Sequence, residues 1–165
     1  MRLKNTIVLF VVLFLLWILF NNTPDLLVIG IGAALSVLFA IFFCSRCQIF
    51  NEINLSPKSF FYTFIYLMIF IKELIVSNID MAFRVLRPSL PINPGIVKVK
   101  TTLKSPMARL ILADSITLTP GTFTVDIAGD YIYIHWIDVK SDDIELATEA
   151  IVRKFEKYLE VMYGK

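Results

Sequence analysis

Two long, uncharged apolar runs near the N-terminus constrain the fold of this chain more than any other feature. Residues 6–20 are TIVLFVVLFLLWILF and residues 26–43 are LLVIGIGAALSVLFAIFF, separated only by the polar turn NNTPD. A helix rises 1.5 Å per residue, so about 17–25 apolar residues cross the hydrocarbon of a bilayer. We therefore predict a membrane-spanning helical hairpin. A cleavable signal peptide is the alternative for the first run, but no small-residue cleavage site follows it.

Small residues recur at every fourth position of the second run, at Gly32, Ser36 and Ala40. This spacing puts them on one helix face, where small side chains let another helix approach closely within lipid. We predict that this face packs against a helix of this chain or of another one.

A third apolar segment, residues 59–86, differs from the first two because its second half contains the ionisable residues Lys72, Glu73 and Asp80. Charged groups inside a membrane are costly and often functional, so one interpretation is a proton relay through Glu73 or Asp80. The favoured interpretation is that the helix leaves the hydrocarbon near Ile71 and continues as an amphipathic helix among the headgroups.

The distribution of lysine and arginine predicts which side of the membrane each loop occupies. The NNTPD turn has neither residue, whereas Arg2 and Lys4, then Arg46 and Lys58, flank the hairpin, and further basic residues follow residue 84. The positive-inside rule places all these basic regions in the cytoplasm, including the C-terminal domain. Two cytoplasmic ends require an even number of crossings. Either residues 59–86 do not cross fully, or the first helix starts outside.

The remaining sequence predicts a proline-rich linker at residues 87–95 and a small soluble domain at 96–165, after a membrane-embedded half at 1–86. The residue patterns of the soluble domain indicate a strand at 96–101, a helix capped by Ser105, a hairpin of strands at 121–127 and 131–139, and a last helix capped by Ser141. The predicted fold is therefore two or three membrane helices followed by an α+β domain of order β-α-β-β-α.

The stretch LADSITLTPGT, residues 112–122, is interpreted as a helix-to-strand connector, with the helix ending at Ala113 and Pro120-Gly121 turning the chain into the next strand. We predict a subunit-docking role for its residues Ser115, Thr117, Thr119, Pro120 and Gly121. His135 and Trp136 are added to this docking set. Alternation puts His135 with Tyr131 and Tyr133 on one polar, aromatic sheet face, and Trp136 with Ile132 and Ile134 on the opposite face. Alternation also predicts that Phe123, Val125 and Ile127 share a face.

Composition argues against several classes of function. The net charge of +2 is too small to indicate nucleic-acid binding. One histidine and two cysteines, Cys44 and Cys47, are too few for a four-ligand zinc site. The C-x-x-C spacing ends an apolar run instead of opening a helix after a strand, so a redox role is not favoured. His135 has no nucleophile or orienting acid, so we predict no enzyme and no cofactor.

The stretches NPGIVKVKT, LADSITLTPGTFTVD and YIYIHWIDV, together with the N-terminal hairpin, resemble the E component (MrpE/MnhE family) of the multisubunit Mrp-type Na+/H+ antiporters of bacteria, also called Mnh. SITLTPGT and HWIDV are the most specific parts. One departure is Asp114, where the family has asparagine. The resemblance implies a cytoplasmic-membrane protein in a complex of seven different subunits that exchanges cytoplasmic Na+ for external protons. It also implies an accessory role, since the ion paths are assigned mainly to the large A and D components.

The leading hypothesis is therefore a non-catalytic accessory subunit of a cation/proton antiporter that supports complex assembly and activity. The alternative is an independent membrane-anchored adaptor whose soluble domain binds a protein partner.

Overall fold

A computed structural model describes residues 2–44 and 56–164 of the chain. The elements are α1 Arg2–Asn21, α2 Leu26–Cys44, α3 Pro57–Leu86, β1 Gly95–Lys100, α4 Pro106–Leu118, β2 Thr122–Ala128, β3 Tyr131–Trp136, α5 Ile144–Ile151 and α6 Arg153–Tyr163. Three of these helices contain segments long and apolar enough to cross a membrane, Leu3–Asn21, Leu26–Phe43 and Pro57–Leu86. The predicted fold class is confirmed.

Packing divides the chain into two compact units, Met1–Ile53 and Asn54–Lys165. Helices α1 and α2 pack together in the first unit. Helix α3 belongs to the second unit, where it packs along α6. Composition changes near residue 87 and packing changes near residue 53, so the two criteria divide the chain at different places.

The domain is built on a three-stranded antiparallel sheet of order β1-β3-β2. Val97 lies opposite Ile134, and Val99 lies opposite Ile132. These four side chains are buried together with apolar residues of the helices, among them Leu112, Ile116, Ile151, Phe155 and Leu159. One face of the sheet therefore carries the core, as expected of a sheet covered by helices.

A β-bulge interrupts β2 between Thr124 and Asp126. Phe123 lies opposite His135, whereas Ile127 lies opposite Ile132, so Phe123 and Ile127 point to different sides of the sheet. The prediction that Phe123, Val125 and Ile127 share a face was wrong, because an inserted residue reverses the alternation beyond it.

Two helix boundaries also differ from the predictions. Helix α4 continues five residues past Ala113, to Leu118. The final helix is interrupted at Val152, and its N-cap is Asp143, whose carboxylate accepts a hydrogen bond from the Leu146 amide. Ser141 instead accepts from the Asp143 amide. The predicted cap at Ser105 is confirmed by its 3.0 Å bond from the Ala108 amide.

The proline-rich segment after α3 is held against the domain. The Asn93 amide donates to the Ile137 carbonyl at 3.0 Å, and the Val139 amide donates to the Asn93 carbonyl at 2.9 Å. The Pro91 carbonyl accepts a 2.8 Å bond from Arg84 of α3. These bonds fix residues 91–93 on both sides, which a free spacer would not show.

Candidate interaction surfaces

The three small residues of α2 lie on the side of the helix that approaches α1. A side-chain carbon added at Gly32 would lie 2.2 Å from the indole of Trp17, and Ser36 and Ala40 are buried. The Trp17 indole donates a 3.0 Å hydrogen bond to the Val28 carbonyl. The absence of a side chain at Gly32 therefore creates the space that the Trp17 ring occupies in the hairpin.

Hydroxyl groups complete the C-terminal end of α4. Thr119 donates to the Ser115 carbonyl at 2.5 Å, and Thr122 donates to the Ile116 carbonyl at 2.6 Å. Thr117 accepts from the Thr124 amide at 3.2 Å. The last carbonyls of a helix have no α-helical partner within the helix, and here side-chain hydroxyls bond to two of them. The hydroxyls of SITLTPGT thus join the end of α4 to the start of β2.

Ser115 lies inside α4 and is buried against α3. Its hydroxyl donates to the Ile111 carbonyl at 2.8 Å and is also bonded to the Tyr66 hydroxyl. Since a serine hydroxyl has only one proton, the Tyr66 hydroxyl must be the donor to Ser115. Ser115 and Thr119 are both buried within this chain, at 4% and 6% exposure.

The Pro120-Gly121 pair forms the turn into β2. The Thr122 amide donates to the Thr119 carbonyl at 3.3 Å, and Gly121 has a φ of +93°. Proline followed by a residue of positive φ is the signature of a type II turn. A side-chain carbon at Gly121 would lie 3.1 Å from both Ile137 and Met81. Gly121 therefore meets a conformational and a spatial requirement.

The ionisable residues of α3 form ion pairs, and two of these pairs reach the domain. Glu73 lies 2.8 Å from Lys154 of α6. Arg84 lies 2.7 Å from Asp80 and 2.9 Å from Asp138, which follows β3. The Lys72 ammonium group lies 3.8 Å from the Glu73 carboxylate, and the Lys72 side chain is 72% exposed. The pairs of Glu73 and Arg84 therefore tie α3 to α6 and to the segment after β3.

These residues surround a cavity of about 370 Å³ between α3 and the domain. Its lining includes Glu73, Asp80, Arg84, Thr119, Pro120, Gly121, Trp136, Asp138, Lys140 and Lys154. Three carboxylates face three cationic groups there, so the charges balance and select neither an anion nor a cation. The cavity brings together two groups of residues that sequence reasoning treated separately, the ionisable residues of α3 and part of the LTPGT turn.

The sheet face opposite the core carries His135. Ile96 and Phe123 lie on either side of it in register, and they are 63% and 55% exposed. Tyr133 follows on the same face, between Lys98 and Asp126. We call Ile96, Phe123, His135, Tyr133 and Lys98 the open sheet face. Trp136 is on the core side and lines the cavity.

Sequence reasoning missed Glu156, whose side chain is 1% exposed. One carboxylate oxygen accepts from the Thr101 hydroxyl at 2.6 Å and from the Thr102 amide at 2.7 Å, and the other oxygen lies 2.9 Å from Arg153. Glu156 anchors the loop between β1 and α4. Helical spacing places it beside the buried Phe155, but nothing in the sequence links it to Thr101.

Among residues 2–44 and 56–164, no group of three or more His, Cys, Asp or Glu side chains is arranged to hold a metal ion. Cys44 is the last residue of α2, and Cys47 lies outside the described residues, so the structure shows no geometry for the C-x-x-C pair.

The structure defines a class, a membrane protein with a helical hairpin and a small α+β domain, and comparison with known proteins identifies the family. The MnhE family, described as "Na+/H+ ion antiporter subunit", matches residues 10–162. The E-type Na(+)/H(+) antiporter subunit of Alkalihalophilus pseudofirmus is 36% identical over 139 residues, covering 83% of this chain and 85% of that one. Its counterpart in Bacillus subtilis is 34% identical, covering 87% and 89%. The chain belongs to the MnhE family of Na+/H+ antiporter subunits.

A solved structure is similar over almost the whole chain. It is a chain from the membrane-bound sulfane sulfur reductase, described as an archaeal respiratory membrane complex. The two chains are 42% identical, the TM-score is 0.85, and the match covers 97% of this chain and 99% of the other.

Proposed function

We propose that this chain is a non-catalytic accessory subunit of a multisubunit Na+/H+ antiporter that supports assembly and activity of the complex. The observation that carries the proposal is the use of the ionisable residues of α3. Glu73 and Arg84 join the helix to its own domain through ion pairs with Lys154 and Asp138, and Asp80 pairs with Arg84 within the helix. These contacts give all three residues of α3 a structural role.

The hypothesis is tested by deleting the gene for this chain from a host that expresses the complete complex. We expect a smaller amount of assembled complex on native gels and a proportionate loss of Na+/H+ exchange in inverted vesicles. Unchanged assembly with unchanged exchange would exclude an accessory role. Normal assembly with abolished exchange would indicate a direct part in ion transfer.

We further propose that the open sheet face contacts a neighbouring subunit. Its exposed side chains combine apolar, aromatic and basic character, as protein interfaces commonly do. His135→Ala combined with Phe123→Ser should reduce co-purification of the other subunits. Leu146→Ser is the matched control, since Leu146 is 62% exposed on α5, away from this face. Equal losses in both variants would mean that the effect is not specific to this face.

The domain is proposed to lie on the cytoplasmic side, because the basic residues that follow α3 favour that side under the positive-inside rule. Protease added to inverted vesicles should cut the domain, and protease added to intact cells stripped of their wall should not.

A second candidate function is a place in a membrane-bound respiratory complex. The similarity to the sulfane sulfur reductase chain supports it, because identity and coverage are both higher there than with the two antiporter proteins. Purification of the native complex in mild detergent distinguishes the candidates. Redox-active partners would favour the respiratory complex, and large polytopic subunits without redox centres would favour the antiporter. A single soluble partner would support the membrane-anchored adaptor instead.

A further inference from the structure

We propose that α3 does not cross the membrane but lies along its cytoplasmic surface, with one face in the lipid and the other on the soluble domain. The helix meets the length and apolarity expected of a membrane span. Its contacts point to a different location. The inference holds for either complex that the chain joins, and its test is independent of antiport.

The two faces of α3 differ in what they contact. Ser59 and Tyr66 are buried against the domain, and Glu73 and Arg84 pair with Lys154 and Asp138. These four residues are seven, seven and eleven positions apart, about two, two and three turns, so they form one stripe along the helix. Residues on the opposite side are exposed and almost entirely apolar, among them Phe60, Phe64, Met68, Ile75, Ile79 and Leu86.

Helix α6 runs beside much of α3. Ser59 approaches the Met162 carbonyl at 3.5 Å, the Tyr66 and Phe155 rings are 6.2 Å apart, and Glu73 meets Lys154. Residues 59–73 therefore share their depth with α6, whose 11 residues include five charged ones. If α3 crossed the bilayer, α6 would have to enter the hydrocarbon with it. Charged groups at that depth are strongly unfavourable.

The uncharged part of α3 is also too short to cross alone. Only residues 59–71 lack charge before Lys72 and Glu73, and they rise about 20 Å against a hydrocarbon thickness of about 30 Å. A helix lying in the plane of the interface needs one apolar face and not a minimum uncharged length.

Basic residues along one flank of α3 favour lipid as the occupant of the apolar face. Lys58, Lys72 and Arg87 are 14 and 15 residues apart, about four turns each, so they follow one side of the helix, and all three are exposed. This flank lies between the apolar face and the domain, where the headgroups of a membrane would be. Cationic side chains there are complementary to anionic headgroups, as in helices that bind membrane surfaces.

The proposal resolves the parity of crossings left by the charge distribution. With α1 and α2 as the only crossings among residues 2–44 and 56–164, Arg2, Lys4 and Lys58 lie on the same side as the soluble domain. All these basic residues then obey the positive-inside rule.

Cysteine labelling of the full-length chain tests the topology. Cys44 and Cys47 are replaced by serine, and single cysteines are placed at Thr23 in the hairpin turn, at Lys58 in the first turn of α3 and at Ser89 after its end. A membrane-impermeant maleimide should label Thr23→Cys only from outside, and Lys58→Cys and Ser89→Cys only in inverted vesicles. Labelling of Lys58→Cys and Ser89→Cys from opposite sides would overturn the proposal.

A second experiment tests whether lipid covers the apolar face. A bimane fluorophore on Phe64→Cys, 59% exposed, is compared with one on Lys157→Cys, an exposed position of α6. In vesicles with lipids spin-labelled near the headgroup, we expect at least twofold stronger quenching at position 64. A benzophenone at position 64 should cross-link to lipid. Weak quenching together with a cross-link to another subunit would show that a protein covers this face.

Discussion

The Ser115 hydroxyl shows how one residue of the SITLTPGT stretch serves the interior of the domain. It accepts from Tyr66 of α3 and donates to the Ile111 carbonyl, so it links two helices at a buried position. The prediction of a docking role treated this stretch as a helix-to-strand connector that begins after Ala113. Within a helix, the same residue is carried to the buried side, where its hydroxyl satisfies a neighbour.

Ser115→Ala should therefore destabilise the domain more than Tyr66→Phe does. Removing Ser115 leaves the Tyr66 hydroxyl buried without an acceptor, which costs about 1–3 kcal/mol. Tyr66→Phe leaves Ser115 bonded to Ile111, so its cost should be smaller. The double variant should recover part of the loss. Melting temperatures of the purified chain in detergent provide the measurement. An equal loss of stability in both single variants would contradict the assignment of Tyr66 as donor and Ser115 as acceptor.

A substitution at Glu73 distinguishes a structural role of this residue from a proton-carrying one. We expect Glu73→Gln to leave the pH profile of antiport unchanged and to reduce stability by about 1 kcal/mol, as loss of a partly exposed ion pair does. Lys154→Met should have a similar effect, and the double variant should lose less than the sum. Antiport in inverted vesicles over a range of pH, together with melting temperatures, tests this. A shifted pH profile in Glu73→Gln alone would support the relay.

At the scale of elements, the α1–α2 hairpin depends on Gly32, because the Trp17 ring occupies the space beside it. Gly32→Ala should lower the melting temperature of the protein in detergent, with a cost of about 1–3 kcal/mol typical of overpacking. Gly30→Ala is the control, since a side-chain carbon there meets nothing within 4 Å. If both variants melt at the same temperature, the close contact between Trp17 and Gly32 does not determine the stability of the hairpin.

The β2–β3 turn is tied to the start of α4 through Asp130. Its carboxylate lies 3.1 Å from Lys104 and 2.7 Å from Arg109, and these cations hold the pKa of Asp130 below its usual value. A carboxylate with a lowered folded-state pKa adds stability above the unfolded-state value, about 3.9, and this stability is lost as the pH falls through the folded-state pKa.

Asp130→Asn should therefore lower the melting temperature at pH 7 and converge with the unaltered protein in acid. The difference should also shrink at high salt, because the Asp130 side chain is 44% accessible to solvent. Melting curves of both proteins from pH 7 to pH 3 measure it, and their subtraction removes the titration of other carboxylates. A difference that persists below the lowered pKa would mean that Asp130 acts by packing and not by charge.

At the scale of the whole molecule, local signals predicted most elements of the fold. The apolar runs predicted α1 and α2, Ser105-Pro106 predicted the start of α4, and alternation predicted the buried side of β3. Each of these depends on residues close together in sequence. The end of α4, the bulge in β2 and the break at Val152 depend on distant contacts or on one inserted residue, and no local pattern encodes them.

The sequence by itself determined the class of the protein, its family and its apolar segments, because hydropathy and short motifs are local properties. Only the tertiary structure decided the surroundings of α3. Hydropathy averages over a helix, whereas Glu73 and Arg84 find their partners 81 and 54 residues further along the chain. The interpretation of SITLTPGT changed for the same reason. Its hydroxyl groups and the atoms that they bond become neighbours only when α4, β2 and α3 pack together.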